Sequence, residues 1–318
     1  MKLDASYVNR VAGPDGFNAA NLEKVIRLRQ LLIEFHKHPF LRGKLVLKGG
    51  TAINLFYLDL ARLSVDIDLN YIGQIERESM LGERPEIAKA VEQIAKALGY
   101  TIQHGANDHA LMGWYLGYSN HRDSPERIEV EINFLMRACA LPSKVLPAVS
   151  IGDEKPCEFP VLAIEELFAG KIKAMIDRHH PRDLYDLFRF GSAHSVYDPE
   201  LMRKLAVLFA STMDRDLRTY GLDRVEGIDD AEIKRLLYPL LKAGDRPTRV
   251  DMFAIARPVL EAVLEHSREA GFLEAMAAGK YQPELLFRSY PEIVERIRRH
   301  PALLWKSENV AQHLRARK

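Results

Sequence analysis

The stretch LKGGTAINLFYLDLARLSVDIDLNYIG, Leu47 to Gly73, holds the groups that chemistry on a phosphate chain requires. Gly49, Gly50 and Thr51 follow a short apolar run and precede a helical one. A helix that starts on glycines offers unhindered backbone N–H groups and the positive end of its dipole, a cradle for phosphate oxygens. Thr51 can cap that helix or contact a phosphate. Sixteen residues after Gly50 come Asp66 and Asp68. The period of two in VDIDLNY sets both carboxylates on one strand face, their Cβ atoms about 7 Å apart. Two carboxylates so close repel, and a divalent cation between them removes the repulsion. Mg²⁺ accepts such oxygen ligands together with substrate phosphates. Taken singly, Gly-Gly also describes a plain turn and Asp-Ile-Asp a solvated strand face.

Two further segments add matching groups. In RIEVEINF, Ile128, Val130 and Ile132 face one way while Glu129, Glu131 and Asn133 face the other. Glu131 or Glu129 is thereby a candidate third acid, able to bind the metal and help activate an attacking hydroxyl. In AIEELFAGKIKAMIDR the apolar stripe runs through Ile164, Leu167, Phe168 and Met175, and Lys171 lies on it. That lysine either snorkels along a packed face or directs its ammonium at a phosphate. In RHHPRDLYDLFRF, Pro181 opens a helix with Asp183 and Asp186 near its start, where the dipole favours carboxylates. The functional alternative turns Asp183 toward the reacting groups. Adjacent His179 and His180 do not face one way and read as loop residues, not a metal site.

The elements that must position these residues are legible as patterns. Asn18 to Pro39 reads as a helix, with Leu22, Val25, Ile26, Leu32 and Phe35 at helical spacing. KLVLKGG reads as a strand ending in glycines, TAINLFYLDLA as a helix, and Val65 to Gly73 as a half-buried strand. Pro85 to Gly99 reads as a helix with proline near its start and glycine after its end. Strand-like runs follow: YTIQHGA, ALMGWYLGYS, RIEVEINFLM and KVLPAVS. Beyond Pro160 every periodic segment is helical. The expected fold class is therefore α/β, with residues 1–160 forming a mixed-sheet domain and residues 161–318 a mainly α-helical one.

KGGTAINL…RLSVDID together with EELFAGKIKAMIDRHHPRDLYDLFRF resembles the AbiEii/AbiGii toxin family of nucleotidyltransferase-like proteins, which includes the MenT toxins. The end of the chain, YQPELLF…ERIRRHPALLWKSENV, resembles the C-terminal part of bacterial members. The resemblance implies a polymerase-β-type nucleotidyltransferase domain followed by a helical domain that contributes Lys171 and Asp183 to the cleft. It implies Mg²⁺ and a nucleoside triphosphate, with transfer of the nucleoside monophosphate to a hydroxyl. By position, Gly49, Gly50 and Thr51 match the glycine motif, and Ser64, Asp66 and Asp68 the Ser-x-Asp-x-Asp motif. Lys171 matches the lysine motif and Asp183 the later aspartate. Some members add nucleotides to the 3′ end of tRNA, and members act as toxins within toxin–antitoxin or phage-defence pairs, so tRNA and a cognate antitoxin are the implied partners.

The bulk composition sets outer bounds. The 318 residues suit two cores better than one. A formal net charge of +1 gives no general attraction to nucleic acid, although Pro291 to Lys318 holds seven Arg or Lys against three Glu. That tail could touch RNA through its arginines and Trp305, or form an amphipathic helix with Leu303, Leu304 and Trp305 packed. Cys139 and Cys157 do not make a disulfide framework or a zinc pair and read as reduced thiols. The N-terminus lacks the apolar stretch of a secretory signal and no run is long enough for a membrane span, so the expected location is cytoplasmic. The motifs read the triphosphate and not the acceptor. A protein or small-molecule acceptor, or a nucleotide-binding toxin without catalysis, uses the same residues.

Overall fold

The computed structural model describes residues 3–13, 16–193 and 196–316. In chain order the first elements are α1 (Ala5–Ala12), α2 (Ala19–Lys37), β1 (Leu45–Lys48), α3 (Gly49–Phe56), β2 (Asp66–Tyr71) and α4 (Arg77–Ala97). They are followed by β3 (Thr101–Asn107), β4 (Leu111–Ser119), β5 (Pro125–Asn133), β6 (Lys144–Pro147) and β7 (Glu158–Val161). All later elements are helical: α5 (Ile164–Arg178), α6 (Pro181–Ser192), α7 (Pro199–Ala210), α8 (Asp223–Glu226), α9 (Asp230–Leu236), α10 (Arg249–Leu264), α11 (Ala270–Ala277), α12 (Pro291–Ile297) and α13 (Pro301–Ala316). The chain is thus α/β followed by helices. It divides into two compact units: Met1–Arg137 with Ser143–Leu162 and Arg235–Arg246, and Ala138–Pro142 with Ala163–Lys234 and Pro247–Lys318.

The first unit is built on a seven-stranded mixed sheet of order β3-β4-β5-β2-β1-β7-β6. β2 runs parallel to β5 and β1 parallel to β7, while the remaining neighbours are antiparallel. Strict alternation is why the central strands have two unlike faces. Ile67, Leu69, Val130, Ile132, Trp114 and Leu116 are buried on one of them. Helix α2 packs against β5, β7 and α4, and α4 against β3. The predicted apolar positions of α2, Leu22, Val25, Ile26, Leu32 and Phe35, are all buried. So is Glu23, which accepts from the His121 backbone N–H at 2.7 Å and from Arg27 Nε at 2.9 Å. A buried charge persists only when paired, and this one ties α2 to the β4–β5 turn.

The structure departs from the sequence reading at four elements. Helix α4 starts at Arg77, not Pro85, and carries Pro85 in its interior. The proline forfeits one helical hydrogen bond. Contacts around it retain the two extra turns: Met80 is buried, and Arg84 donates to the Asp108 carbonyl at 2.7 Å and lies over the Phe134 ring. Helix α1 and strand β7 were not read as elements. β7 has four residues, too few to show a period. Helix α3 begins at Gly49 with Lys48 as N-cap and no side-chain cap, so Thr51 does not cap it.

Among its described residues the second unit contains helices and no strand. Helix α5 packs on α6 and α7, and α10 on α6 and α7. Phe168 and Phe190 stack at its centre with ring centroids 3.8 Å apart. In α13 Leu303 is packed, as an amphipathic helix requires, whereas Leu304 and Trp305 are left about half exposed. Burial raises both thiols, Cys157 to about 11 and Cys139 further, so neither is a ready thiolate, and both are free of disulfides.

Candidate active site

The acid face of the sheet is assembled by register. Asp66 stands opposite Glu129 and Asp68 opposite Glu131 across the parallel β2–β5 pair, and Lys48 of β1 stands opposite Asp68 on the other side. Four carboxylates therefore share one face, and Asp66, Asp68, Glu129 and Glu131 are half-buried. The crowding has an electrostatic signature. Burial raises the Glu131 carboxyl above its ordinary value, Asp68 and Glu129 raise it further by like-charge repulsion, and Lys48 only partly opposes them.

The glycine corner lies against these acids. Strand β1 ends at Lys48, and Gly49 turns the chain with φ of +71°, a conformation glycine adopts without strain. A Cβ on Gly49 would collide with the Asp68 carboxylate. The absent side chain is what lets the first N–H groups of α3 approach that acid. At Gly50 a Cβ would stand 2.6 Å from Arg62 Nη2 and 2.8 Å from Ser64 Oγ. Thr51 is fully buried and its hydroxyl donates to the Asp66 carbonyl at 2.5 Å, pinning α3 to β2. Asn54 completes the brace: its Nδ2 donates to the Gly50 carbonyl at 2.9 Å and its Oδ1 accepts from the Arg62 N–H at 3.0 Å. Gly49, Gly50, Thr51, Ser64, Asp66, Asp68 and Glu131 are thus brought together in the sheet unit.

The donor set fits a hard divalent cation. All of its candidate ligands are oxygens, and the repulsion that adds to burial in raising Glu131 is what a cation would relieve. Among the described residues no three His, Cys, Asp or Glu side chains already form a metal-ligating cluster.

Lys171 and Asp183 belong to the helical unit and pair with each other. Lys171 is buried on α5, as its place on the apolar stripe requires, and Nζ reaches Asp183 Oδ1 at 2.7 Å and Asp186 Oδ2 at 3.0 Å. Arg178 Nε meets Asp183 Oδ2 at 2.7 Å. Burial alone would raise the Asp183 carboxyl, but Lys171 and Arg178 overcome it and hold the group well below the usual carboxylate range. His179 closes α5 in a left-handed conformation and His180 caps α6, its Nδ1 accepting from the Arg182 N–H at 3.1 Å. Both are connecting residues, as read from sequence.

Two groups beside the acid face escaped the sequence reading. Arg62 is buried directly behind Gly50, and its one sequence signal is its place two residues before Ser64. Tyr115 of β4 stands opposite Glu129, and the Arg127 guanidinium lies over its ring, 4.3 Å from the centroid. No local pattern marks either residue, because the pairing of β4 with β5 creates the contact.

A mixed sheet that presents paired aspartates beside a glycine-led helix, with a helical unit after it, is the architecture of a nucleotidyltransferase. The chain belongs to the AbiEii family: the model for the nucleotidyl transferase AbiEii toxin of type IV toxin–antitoxin systems matches residues 30–274. It is a nucleotidyltransferase toxin of that family. Among solved structures it is similar to MenT4, a nucleotidyltransferase toxin from Mycobacterium tuberculosis. That match has 19% identity and a TM-score of 0.64, covering 94% of this chain and 99% of the other. A candidate nucleotidyltransferase from H. pylori matches at 16% identity and a TM-score of 0.46, over 75% of this chain and 94% of that one. No curated protein matches the sequence. No described helix is long and apolar enough to cross a membrane.

Proposed function

We propose that the protein transfers a nucleoside monophosphate from a nucleoside triphosphate to a hydroxyl at an RNA 3′ end, with tRNA as the acceptor. One observation carries this reading: Gly49 lacks a side chain where the Asp68 carboxylate presses against it. A phosphate chain cradled by the first turn of α3 therefore lies next to the acids, within reach of any cation they hold.

In this reading Asp66 and Asp68 hold Mg²⁺, with Glu131 as the third acid and Glu129 beside it. The ion would supply charge neutralisation at the transferred phosphoryl group and a lowered pKa for the attacking hydroxyl. The chain's own residues do the rest. The N–H groups of Gly49 and Gly50 and the dipole of α3 bind the leaving pyrophosphate oxygens. Ser64 and Thr51 keep that corner rigid: Ser64 Oγ packs at Gly50, and Thr51 fixes α3 to the backbone of Asp66. Glu131 or Glu129, beside the aspartates that would hold the ion, would help activate the attacking hydroxyl. Lys171 and Asp183 enter as the lysine and aspartate of the family motif. Action in the cytoplasm, restrained by a cognate antitoxin, completes the proposal.

The test is direct. The purified protein is incubated with tRNA, Mg²⁺ and each labelled triphosphate in turn. The expected result is label on the RNA with at least one triphosphate, lost with Asp66→Ala. Absence of label on RNA with all of them, together with a labelled band of protein size in lysate, would replace the RNA acceptor with a protein one. Toxicity that survives in a folded Asp66→Ala/Asp68→Ala double variant would remove catalysis from the account.

A further inference from the structure

The acid face continues past the carboxylates into a surface that the transfer reaction as described does not use. Across β2, β5 and β4 one row reads Asp66, Glu129, Tyr115. Neighbouring strands lie about 4.8 Å apart, so Tyr115 is roughly 10 Å from Asp66 along the sheet. Its ring is held on three sides. Glu129 stands opposite it, Arg127 lies over its face at 4.3 Å, and Gly105 of β3 has no Cβ where one would stand 3.4 Å from ring atom Cε2. Arg127 is exposed, so the outer plane of its guanidinium is presented to whatever reaches the sheet.

The direction of this row matters. Strand order places β1 and its glycine corner on one side of Asp66 and Asp68, and β4 on the other, beyond β5. Transfer to a hydroxyl is an in-line displacement: the new P–O bond forms on the side of the α-phosphorus opposite the P–O bond that breaks to release pyrophosphate. The hydroxyl's proton passes to a base on the acid face. With the pyrophosphate at the glycine corner, the acceptor enters from the β4 side. Splayed RNA bases are bound by stacking on aromatic rings and on guanidinium planes, and the first such plane on that side is the Tyr115–Arg127 pair.

We propose that Tyr115 and Arg127 form a stacking platform for the 3′-terminal base of the acceptor RNA, seating its terminal ribose beside Asp66 and Glu129. This rests on the RNA-acceptor reading above and adds where the acceptor binds. Arg127 carries the charge that a polyanion requires in a protein whose net charge is only +1. Base stacking is tolerant of sequence, so the platform orders the end of the strand without selecting its base.

Two measurements test it. In transfer assays Tyr115→Ala should raise KM for RNA about tenfold, the usual scale for one lost stacked base, with KM for the triphosphate unchanged. Tyr115→Trp should restore the wild-type value, and Arg127→Lys, which keeps charge but loses the plane, should fall between. A rise in the triphosphate KM with the RNA KM unmoved would assign the platform to the donor's base and overturn the proposal, as would no change in either. The second measurement needs no catalysis. Binding of a short single-stranded RNA with a free 3′ hydroxyl is compared with the same RNA lacking only its terminal base. Wild type should lose affinity for the abasic RNA, and Tyr115→Ala should bind both alike and weakly. Equal wild-type binding of the two, or no binding of either, overturns the platform. If this pattern holds while no label is transferred to RNA, the platform stands and the transfer reading fails instead.

Discussion

The molecule carries two clusters of opposite electrostatic character. On the sheet, Asp66, Asp68, Glu129 and Glu131 share a face with Lys48, and burial together with like-charge repulsion raises Glu131. In the helical unit, Asp183 and Asp186 are matched by Lys171 and Arg178, and Asp183 is pushed down. The first gathers like charges on one sheet face, where a cation would offset them. The second sets opposite charges against each other, Lys171 and Arg178 facing Asp183 and Asp186. Burial opposes the charged form in both, and the sign of the neighbours decides the outcome.

Removing the compensating charge from the matched cluster should have the largest effect. Lys171→Met leaves two buried carboxylates without their shared ammonium, and loss of one partner from a buried pair costs about 3–5 kcal/mol. Chemical denaturation should show that loss, and a wild-type midpoint for Lys171→Met would mean Lys171 is not a structural counterion. On the sheet the same kind of change should act on rate. Asp68→Asn should lower transfer by about 10²–10³-fold, the scale of a lost electrostatic element, without destabilising the fold. A large fall in its unfolding midpoint would erase the contrast between the clusters.

Gly49 sharpens the comparison at intermediate size. Gly49→Ala incurs both the left-handed backbone and a collision with Asp68, whereas Gly43→Ala incurs only the backbone, since φ is +76° there and nothing lies within 4 Å of a Cβ. The second should cost about 1 kcal/mol and the first clearly more, with a loss of transfer that Gly43→Ala does not share. Equal stability and equal activity would show that the corner tolerates displacement of Asp68.

The remaining effects are pH-dependent and differ in sign. Glu131 is raised in the folded state, so its contribution to stability is full below its unfolded pKa and is lost as pH rises through the folded value. Glu131→Gln should therefore be more stable than wild type at neutral pH, the two converging on acidification. Asp183 is lowered, so its contribution is present above its unfolded pKa of about 3.9 and disappears as pH falls toward the folded value. Asp183→Asn should be less stable than wild type at neutral pH, and the gap should close only in stronger acid. Unfolding midpoints at a series of pH values give both curves. Addition of Mg²⁺ should raise the midpoint of wild type but not of an Asp66→Asn/Asp68→Asn double variant, because only a state that binds the ion gains from it.

Much of this was legible residue by residue. A two-residue period announced the β2 and β5 faces, so Asp66 with Asp68 and Glu129 with Glu131 follow from local order alone. The helical stripe placed Lys171 on a packed face, and Pro181 marked the start of α6. The glycine corner was readable as glycines but not as geometry: that Gly49 abuts Asp68, and that Thr51 is spent on the Asp66 carbonyl and not on a cap, depends on β1 pairing antiparallel with β2. Local periodicity determines which face of a strand or helix a side chain takes, because that follows from backbone geometry over a few residues. Which strands are neighbours, and hence that Glu131 meets Asp68, Tyr115 meets Glu129 and Asp183 takes both Lys171 and Arg178, was decided only by tertiary packing, since those contacts join residues whose separation along the chain carries no period.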